Sequence, residues 1–415
     1  MSMIEPLQRE TAAPQRWLSI VGIGEDGIDG LTQAAMRLVR QAEIVFGGKR
    51  HLALAKALIK GAARPWPSPF DRAVEAVLTQ RGRQVCVLAS GDPFFYGVGT
   101  VLAKHVDAQE MLVLPAPSSF SLAAARLGWD LATTTLLSLH GRALDLVRPH
   151  LHPGARMLAL TSDHQGPTAL ARLLTQTGFG ASRISVLEAL GGPRDRLRSA
   201  SAAGFDLCAV DDLNVVAIEV AAASDARIIP YANGRSDDLF EHDGQITKRE
   251  IRAMTLSALA PRRGELLWDI GAGAGSVAIE WMLSHPSLRA IAIEARADRA
   301  ARIRRNAAAL GVPGLEIIEG HAPAVLKELP SPGAIFIGGG ASDPAMIDPA
   351  VAALPCGGRL VVNAVTLATE SLVIARHAEL GGELIRLAIA RAGALGSKAG
   401  WRPAMPVMQW TWVKA

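Results

Sequence analysis

Cysteine is scarce: 415 residues contain three, Cys86, Cys208 and Cys356. They lie far apart, the count is odd and no C-x-x-C occurs, so neither a disulfide framework nor a thiolate metal site is expected. A surplus of one charge is also lacking. Lys and Arg number 43 against 39 Asp and Glu, a net charge of +4, and the two halves are similarly balanced. A dedicated nucleic-acid binder would show a strong basic excess, whereas a basic pocket for a small anionic substrate would not show in the sum. No uncharged apolar run reaches the roughly 18 residues that begin to span a bilayer. The opening stretch MSMIEPLQRETAAPQRW carries acids and has no apolar core, so it does not read as a signal peptide, and a cytoplasmic location is expected. Internal repeats and low-complexity tracts are missing as well. What remains is apolar: 49% hydrophobic and 20% charged residues suit well-filled cores and argue against disorder. The length suggests two or three domains.

Apolar periodicity breaks most clearly in IIPYANGRSDDLFEHDGQITKRE, Ile228 to Glu250, where Pro, Asn, Gly and charged residues take over. A linker is expected over 223–243, between domains at 17–222 and 244–415. Before it, the short apolar runs WLSIVGIG, EIVFG, QVCVLAS, MLVLPA, RMLALTS, RISVLEAL and LNVVAIEV alternate with helical patterns. After it, LLWDIGAG, RAIAIEA, LEIIEG, AIFIGGG and RLVVNAV do the same. This alternation predicts an α/β protein with parallel or mostly parallel sheets covered by helices.

LLWDIGAGAGSVAIEW places a strand end at Asp269 or Ile270 and a helix start near Ser276, with the pattern D-x-G-x-G-x-G through Gly271, Gly273 and Gly275. Glycines there permit a tight turn and let a ligand approach the backbone. The acid before the loop suits the ammonium of S-adenosylmethionine (SAM) better than a pyrophosphate. Glu294 closes the next apolar run, 23 residues after Gly271, where a carboxylate accepts ribose hydroxyls in other nucleoside-binding sheets. TKRE reads as a capping box of Thr247 with Glu250. ARADRAARIRRN reads as a solvated helix face, and LPCGG sets Cys356 in a turn. FIGGGASDP stands where amino-methylating nucleic-acid enzymes carry an Asn- or Asp-Pro-Pro motif, which disfavours a base-flipping enzyme.

GQITKREIRAMTLSAL, DIGAGAGSVAIEW, GHAPAVL, AIFIGGG and GGRLVVNAVT together resemble the class I methyltransferases of cobalamin biosynthesis, over most of residues 244–415. Members of that family methylate carbon 15 of a precorrin and remove the carboxyl of an acetate arm. The resemblance implies a Rossmann-like sheet and SAM contacts at Thr247, Gly271, Gly273, Gly275, Glu294 and Ala322.

In the first half, Gly22, Gly24 and Gly27 satisfy G-x-G-x-x-G. The following helix begins only near Thr32, and FGGKRHL stands where a ribose-binding acid is wanted, so dinucleotide binding is not expected. VGIGEDGIDGLTQAA, AEIVFGGKRHL, LASGDPFFYGVG, PAPSSFSLAAARLGW and LSLHGR instead resemble the tetrapyrrole methylase family over about 17–222. That resemblance implies two small α/β subdomains with SAM in the cleft between them, contacted near Gly91, Asp92, Phe94, Ser118, Ser119 and Thr161. Tyr96, His140 and Arg142 are substrate-facing candidates, with packing as the alternative. Taken singly, GDP reads as a turn and SS as an N-cap. The family opening has Pro and Gly where Glu25 and Asp26 stand, which leaves the role of that loop open.

Both resemblances together imply a bifunctional enzyme that methylates carbons 5 and 15 of a precorrin-6 and decarboxylates its ring-C acetate, giving precorrin-8 with two SAM. The expected partner is an anionic tetrapyrrole, with no metal, nucleic acid or membrane, and a homo-oligomer is expected. A SAM enzyme acting on RNA or another small molecule, and a non-enzymatic nucleotide-binding module, are the alternatives.

Overall fold

The computed structural model describes residues 16–338 and 344–415. The chain divides into two compact units, one built from the residues up to 142 and 153–226, the other from 143–152 and 227–415.

The first unit holds two five-stranded sheets. One is wholly parallel, in the order Ala62–Pro65, Ile44–Gly47, Val85–Ser90, Leu18–Ile23, Met111–Leu114. Its strands are apolar at successive positions because each face meets its own core. Ile20, Phe46, Val85 and Val87 pack on one side, and Val21, Val45, Cys86 and Leu88 on the other. Burial at such positions is worth roughly 1.5–3 kcal/mol per large side chain. It also pushes the Cys86 thiol up to about 12, which leaves it inert at neutral pH.

The other sheet runs Thr135–Ser138, Arg156–Leu160, Asn214–Glu219, Arg183–Glu188, Arg196–Ser201. Here the expectation of a mostly parallel sheet is corrected: only the first pairing is parallel. One helix, Gly166–Gln176, crosses over and makes Arg156–Leu160 and Arg183–Glu188 co-directional. The returning strand Asn214–Glu219 then inserts between them antiparallel.

The second unit is built on a seven-stranded sheet in the order Glu316–Glu319, Arg289–Glu294, Leu266–Ile270, Ala334–Ile337, Arg359–Ala364, Val407–Val413, Glu383–Leu387. The first five strands are parallel and Val407–Val413 is antiparallel to both its neighbours. Alternate side chains again feed two cores: Leu267, Ala292 and Phe336 on one face, Trp268, Ile293 and Ile337 on the other. The strand order reverses beside Leu266–Ile270, and in open α/β sheets the crevice at the carboxyl ends of such strands takes the ligand.

Residues 227–243, read from the sequence as linker, are part of this second unit. Ile229 and Phe240 are buried in one of its cores. The amides of Gly234 and Arg235 donate to the Glu280 carboxylate at 2.7 and 3.0 Å. The periodicity is lost because side chains from helices satisfy the backbone of a strap. Among the described residues, no helix is long and apolar enough to cross a membrane, and no group of three or more His, Cys, Asp or Glu could hold a metal ion.

Candidate functional site

In the second unit, strand Leu266–Ile270 runs into the glycine turn and helix Ser276–Ser284 begins directly after it. Gly271, Gly273 and Gly275 have φ of 72, 58 and 73°, a region that side chains with a Cβ rarely adopt. A Cβ on Gly275 would come within 2.7 Å of the Ile303 side chain, so this glycine serves helix packing. A Cβ on Gly273 would meet only the Gln245 carbonyl, at 3.7 Å, so the backbone there is open to a ligand and the 245–247 segment lies beside it.

Glu294 ends the neighbouring strand, buried, and one carboxylate oxygen accepts the Gly273 amide at 2.9 Å while the other accepts the Arg296 amide at 3.0 Å. Lone pairs remain on both oxygens for a ribose diol. The Gly320 amide donates to the Glu294 carbonyl, which brings the Gly320–Ala322 turn to the same edge. Thr247, Gly271, Gly273, Glu294 and Ala322 thus gather at the carboxyl ends of the strands, and Gly275 backs them.

The acid before the loop is buried more deeply than spacing suggests. Asp269 accepts the Ala278 amide through Oδ2 at 3.0 Å, and its Oδ1 has no partner. Burial pushes its carboxyl up to about 7, the Ala278 hydrogen bond opposes this and the Glu294 charge adds to it. An orphaned buried oxygen at this edge fits a cationic ligand group. The native state therefore holds a proton that the unfolded chain releases near the ordinary Asp value, so stability falls as pH rises through this window and levels off above about 7. A cation bound here favours the ionised form. Affinity for a cationic ligand at this edge should therefore weaken by about tenfold per pH unit below that value, and Asp269→Asn should flatten the profile. Calorimetric titration across pH checks this; an unchanged profile in the variant counts against it.

In the first unit, Gly91 follows strand Val85–Ser90 with φ 53°. Its carbonyl accepts the Ala116 amide at 3.1 Å, and a Cβ on Gly91 would strike the Pro117 carbonyl at 2.8 Å and Ser118 Cα at 3.1 Å. The Gly91–Asp92 turn and the Ser118–Ser119 helix start are therefore adjacent. Both local readings of these residues hold. Asp92 Oδ1 accepts the Phe94 amide at 2.8 Å, closing a turn, and Ser118 Oγ caps helix Ser119–Leu127 by accepting the Ser121 amide at 3.1 Å. Phe95 and Tyr96 stack with centroids 5.0 Å apart, and both lean on the buried Phe120. Tyr96 has φ 57° and Phe94, Phe95 and Tyr96 are all exposed. Exposed aromatics on a strained turn form an apolar ledge of the kind found at functional sites.

The Arg142 guanidinium lies 5.9 Å from the Tyr96 ring centroid, and His140 Nδ1 donates to the Thr161 carbonyl at 3.3 Å. The Thr161 hydroxyl donates to buried Asn214 at 2.7 Å, so toward a ligand it can act only as an acceptor.

Two readings need correction. The capping box at Thr247 does not form. Helix Arg249–Leu259 is capped by Lys248 with no side-chain bond, Arg252 Nη1 donates to the Thr247 carbonyl at 2.6 Å, and Glu250 turns to Arg391. The arginine-rich helix Ala297–Ala309 is not simply solvated: Arg299 and Arg302 pair with Asp243, and Arg305 with Glu241. Arginine pairing holds the Asp243 carboxyl well below the usual carboxylate range. The reading of FIGGGASDP falls on residues 339–343, which lie outside the described residues.

Sequence reasoning missed Glu280, a lone acid in the apolar helix Ser276–Ser284, and that isolation was the available signal. It also missed the set of Glu25, Arg50, His51, Ser90 and Arg194, which no local spacing connects.

A model of precorrin methyltransferase domains matches residues 238–414, and one of tetrapyrrole (corrin/porphyrin) methylases matches residues 18–205. Over 99% of its length the chain is 59% identical to a precorrin-6Y C(5,15)-methyltransferase (decarboxylating) from a Sinorhizobium species, all of which is covered. Two shorter relatives each match under half of the chain. A cobalt-precorrin-7 C(5)-methyltransferase of Salmonella typhimurium is 31% identical over 46% of this chain and 96% of its own. A probable cobalt-precorrin-6B C(15)-methyltransferase (decarboxylating) of Pyrobaculum calidifontis is 35% identical over 40% of this chain and 89% of its own.

Proposed function

The chain belongs to the precorrin-6Y C(5,15)-methyltransferase (decarboxylating) family, and from that premise we propose how its two units divide the work. It is a SAM-dependent methyltransferase of cobalamin biosynthesis acting on a tetrapyrrole. The first unit, within 17–222, methylates carbon 5. The second, within 244–415 and extended by the strap from Arg227, methylates carbon 15 and removes the ring-C acetate carboxyl. Each unit holds one SAM. The observation that carries this division is the presence of two separate cofactor edges of unlike design, a glycine turn with a strand-end carboxylate in one and a Gly-Asp turn facing a serine-capped helix in the other. Relatives that pair with about half of the chain and bear one activity each support the same division.

SAM supplies an electrophilic methyl group that an electron-rich ring carbon takes directly, so no protein nucleophile is required. In the second unit Glu294 holds the ribose hydroxyls and the Gly273 amide together, Asp269 offers its free oxygen to the ammonium, and the open backbone at Gly273 permits close approach. In the first unit, Gly91 and Asp92 with Ser118 and Ser119 hold the cofactor, and the Phe94–Tyr96 ledge and Arg142 take the ring face and a carboxylate of the substrate. Both edges act by orientation and exclusion of water. Carboxyl loss leaves an electron pair that the conjugated ring takes up before protonation.

Incubating precorrin-6 with enzyme and SAM should add two methyl groups and remove one CO2, read by mass spectrometry, and calorimetry should count two SAM per chain. Any other mass change, or a single SAM, defeats the proposal.

A further inference from the structure

The G-x-G-x-x-G loop does not bind a dinucleotide in the reading above, and its two unusual residues lack an assigned role. Structurally the loop is a support for the cofactor turn. A Cβ on Gly22 would come within 2.0 Å of the Gly91 carbonyl oxygen and 2.5 Å of the Ala116 amide nitrogen, so only glycine lets the first strand lie against that turn. Asp26 folds back inside the loop, its carboxylate occupying the space where a Cβ on Gly24 or Gly30 would stand.

Glu25 points the other way. Its side chain is 10% exposed and lies between two arginines from the two sheets of this unit. Arg50, just after strand Ile44–Gly47, forms an ion pair with Oε1. Arg194, in the loop between strands Arg183–Glu188 and Arg196–Ser201, reaches Oε2 at 3.6 Å and is itself paired with Asp211. The backbone of that loop packs on Glu25 too, since a Cβ on Gly192 would fall 2.6 Å from the Glu25 Cβ.

From Glu25 the contact continues to the cofactor edge. Arg50 Nη2 donates to Ser90 Oγ at 3.0 Å and to His51 Nε2 at 2.8 Å, and His51 Nε2 lies 2.9 Å from the same hydroxyl. An arginine can only donate, so His51 Nε2 accepts and the imidazole is neutral. Burial and the adjacent Arg50 charge push its pKa down to about 4, in agreement. Ser90 directly precedes Gly91 and Asp92.

We infer that Glu25 is a positioning residue for the carbon-5 site, tying Arg194 of the second sheet to Arg50 of the first and, through Arg50 and Ser90, fixing the Gly91–Asp92 turn across the cleft. This rests on the assignment of a SAM site to the first unit. Removing the carboxylate leaves Arg50 without its ion pair and Arg194 tied only to Asp211, so the link between the two sheets at this point is lost and the turn loses its fixed place.

The test uses the full chain carrying Glu294→Ala, in which the second unit's site is disabled and one SAM site should remain. Adding Glu25→Gln should raise the Kd of that site by about tenfold with the site count still one, and Glu25→Asp should restore part of it. A role in stability alone would lower the site count or the melting temperature and leave Kd unchanged. An unchanged Kd in Glu25→Gln overturns the inference. A chain with Glu294→Ala that binds no SAM overturns the assignment of a site to the first unit, and this inference with it.

Discussion

Glu294→Ala should abolish methylation of carbon 15 and all release of CO2, and reduce bound SAM from two per chain to one. The carboxylate does two things at once. On the proposed assignment it is the acceptor at the end of strand Arg289–Glu294 that a ribose diol requires, and it holds the glycine turn through the Gly273 amide at 2.9 Å. Two hydrogen bonds to an ionised acceptor are worth about 1.5–3 kcal/mol each, so losing both with the loop anchor costs more than a hundredfold in affinity at 1.4 kcal/mol per decade. Glu294→Gln separates the two roles. Its amide oxygen still accepts from Gly273, but the charge is gone and its NH2 stands donor to donor against the Arg296 amide. It should retain a folded turn and bind SAM intermediate in strength between the parent and Glu294→Ala. The product made by Glu294→Ala carries at most one added methyl and its full set of carboxyls. Release of CO2 at the parental rate would show that the second unit's edge is not where this chemistry occurs.

The parts of this protein legible in its sequence are those whose cause is local. Strand Leu266–Ile270, the turn at Gly271–Gly275 and the helix from Ser276 follow from a buried apolar run, three positions of positive φ and a helix start. Thr32 capping the helix Gln33–Gln41 is of the same kind, and it explains the late helix start that argued against a dinucleotide loop. What was missed owes its place to distant partners. Strand Arg196–Ser201 carries Arg196 and Arg198, charges that break an apolar pattern, yet both bind Glu188 on the adjacent strand. Strand Val407–Val413 contains Gln409, buried because Thr255 and Asn363 accept from its amide. The edge strand Ala62–Pro65 is exposed throughout and held by backbone pairing and by Arg64 over the Phe46 ring. The Thr247 capping box satisfied its spacing, and Arg252 took the Thr247 carbonyl instead. In each case a polar group's partner is set by tertiary structure, which spacing does not record.

The second large effect follows from the same logic. Glu280 is fully buried, and its carboxylate accepts the amides of Gly234 and Arg235 and, at 2.8 Å, Nε of the fully buried Arg252. Arg235 Nη1 lies 3.6 Å from the same group and has no hydrogen-bond partner. Arg252 also donates to the carbonyls of Arg235 and Thr247, and its guanidinium sits 4.7 Å from the Phe240 ring centroid. Glu280 thus meets two buried guanidinium groups, Arg252 having a second partner in Asp237 at 3.2 Å; it also anchors the 227–243 strap and through Arg252 holds Thr247 beside the glycine turn. Glu280→Ala strands the Arg235 charge in the core and leaves Arg252 with Asp237 alone, a loss of about 3–5 kcal/mol for a buried pair broken on one side. For a unit of this size that corresponds to a fall in melting temperature on the order of 10 °C. Hydrogen exchange should place the loss in the second unit, at the strap and helix Arg249–Leu259, with the sheets of the first unit protected as before. Carbon-15 methylation should fail with it, because Thr247 is released. Replacing Arg235 by Met in the same chain removes the stranded charge, so Glu280→Ala with Arg235→Met should be more stable than Glu280→Ala alone. If the double variant is the less stable of the two, charge burial is not what holds the strap in place.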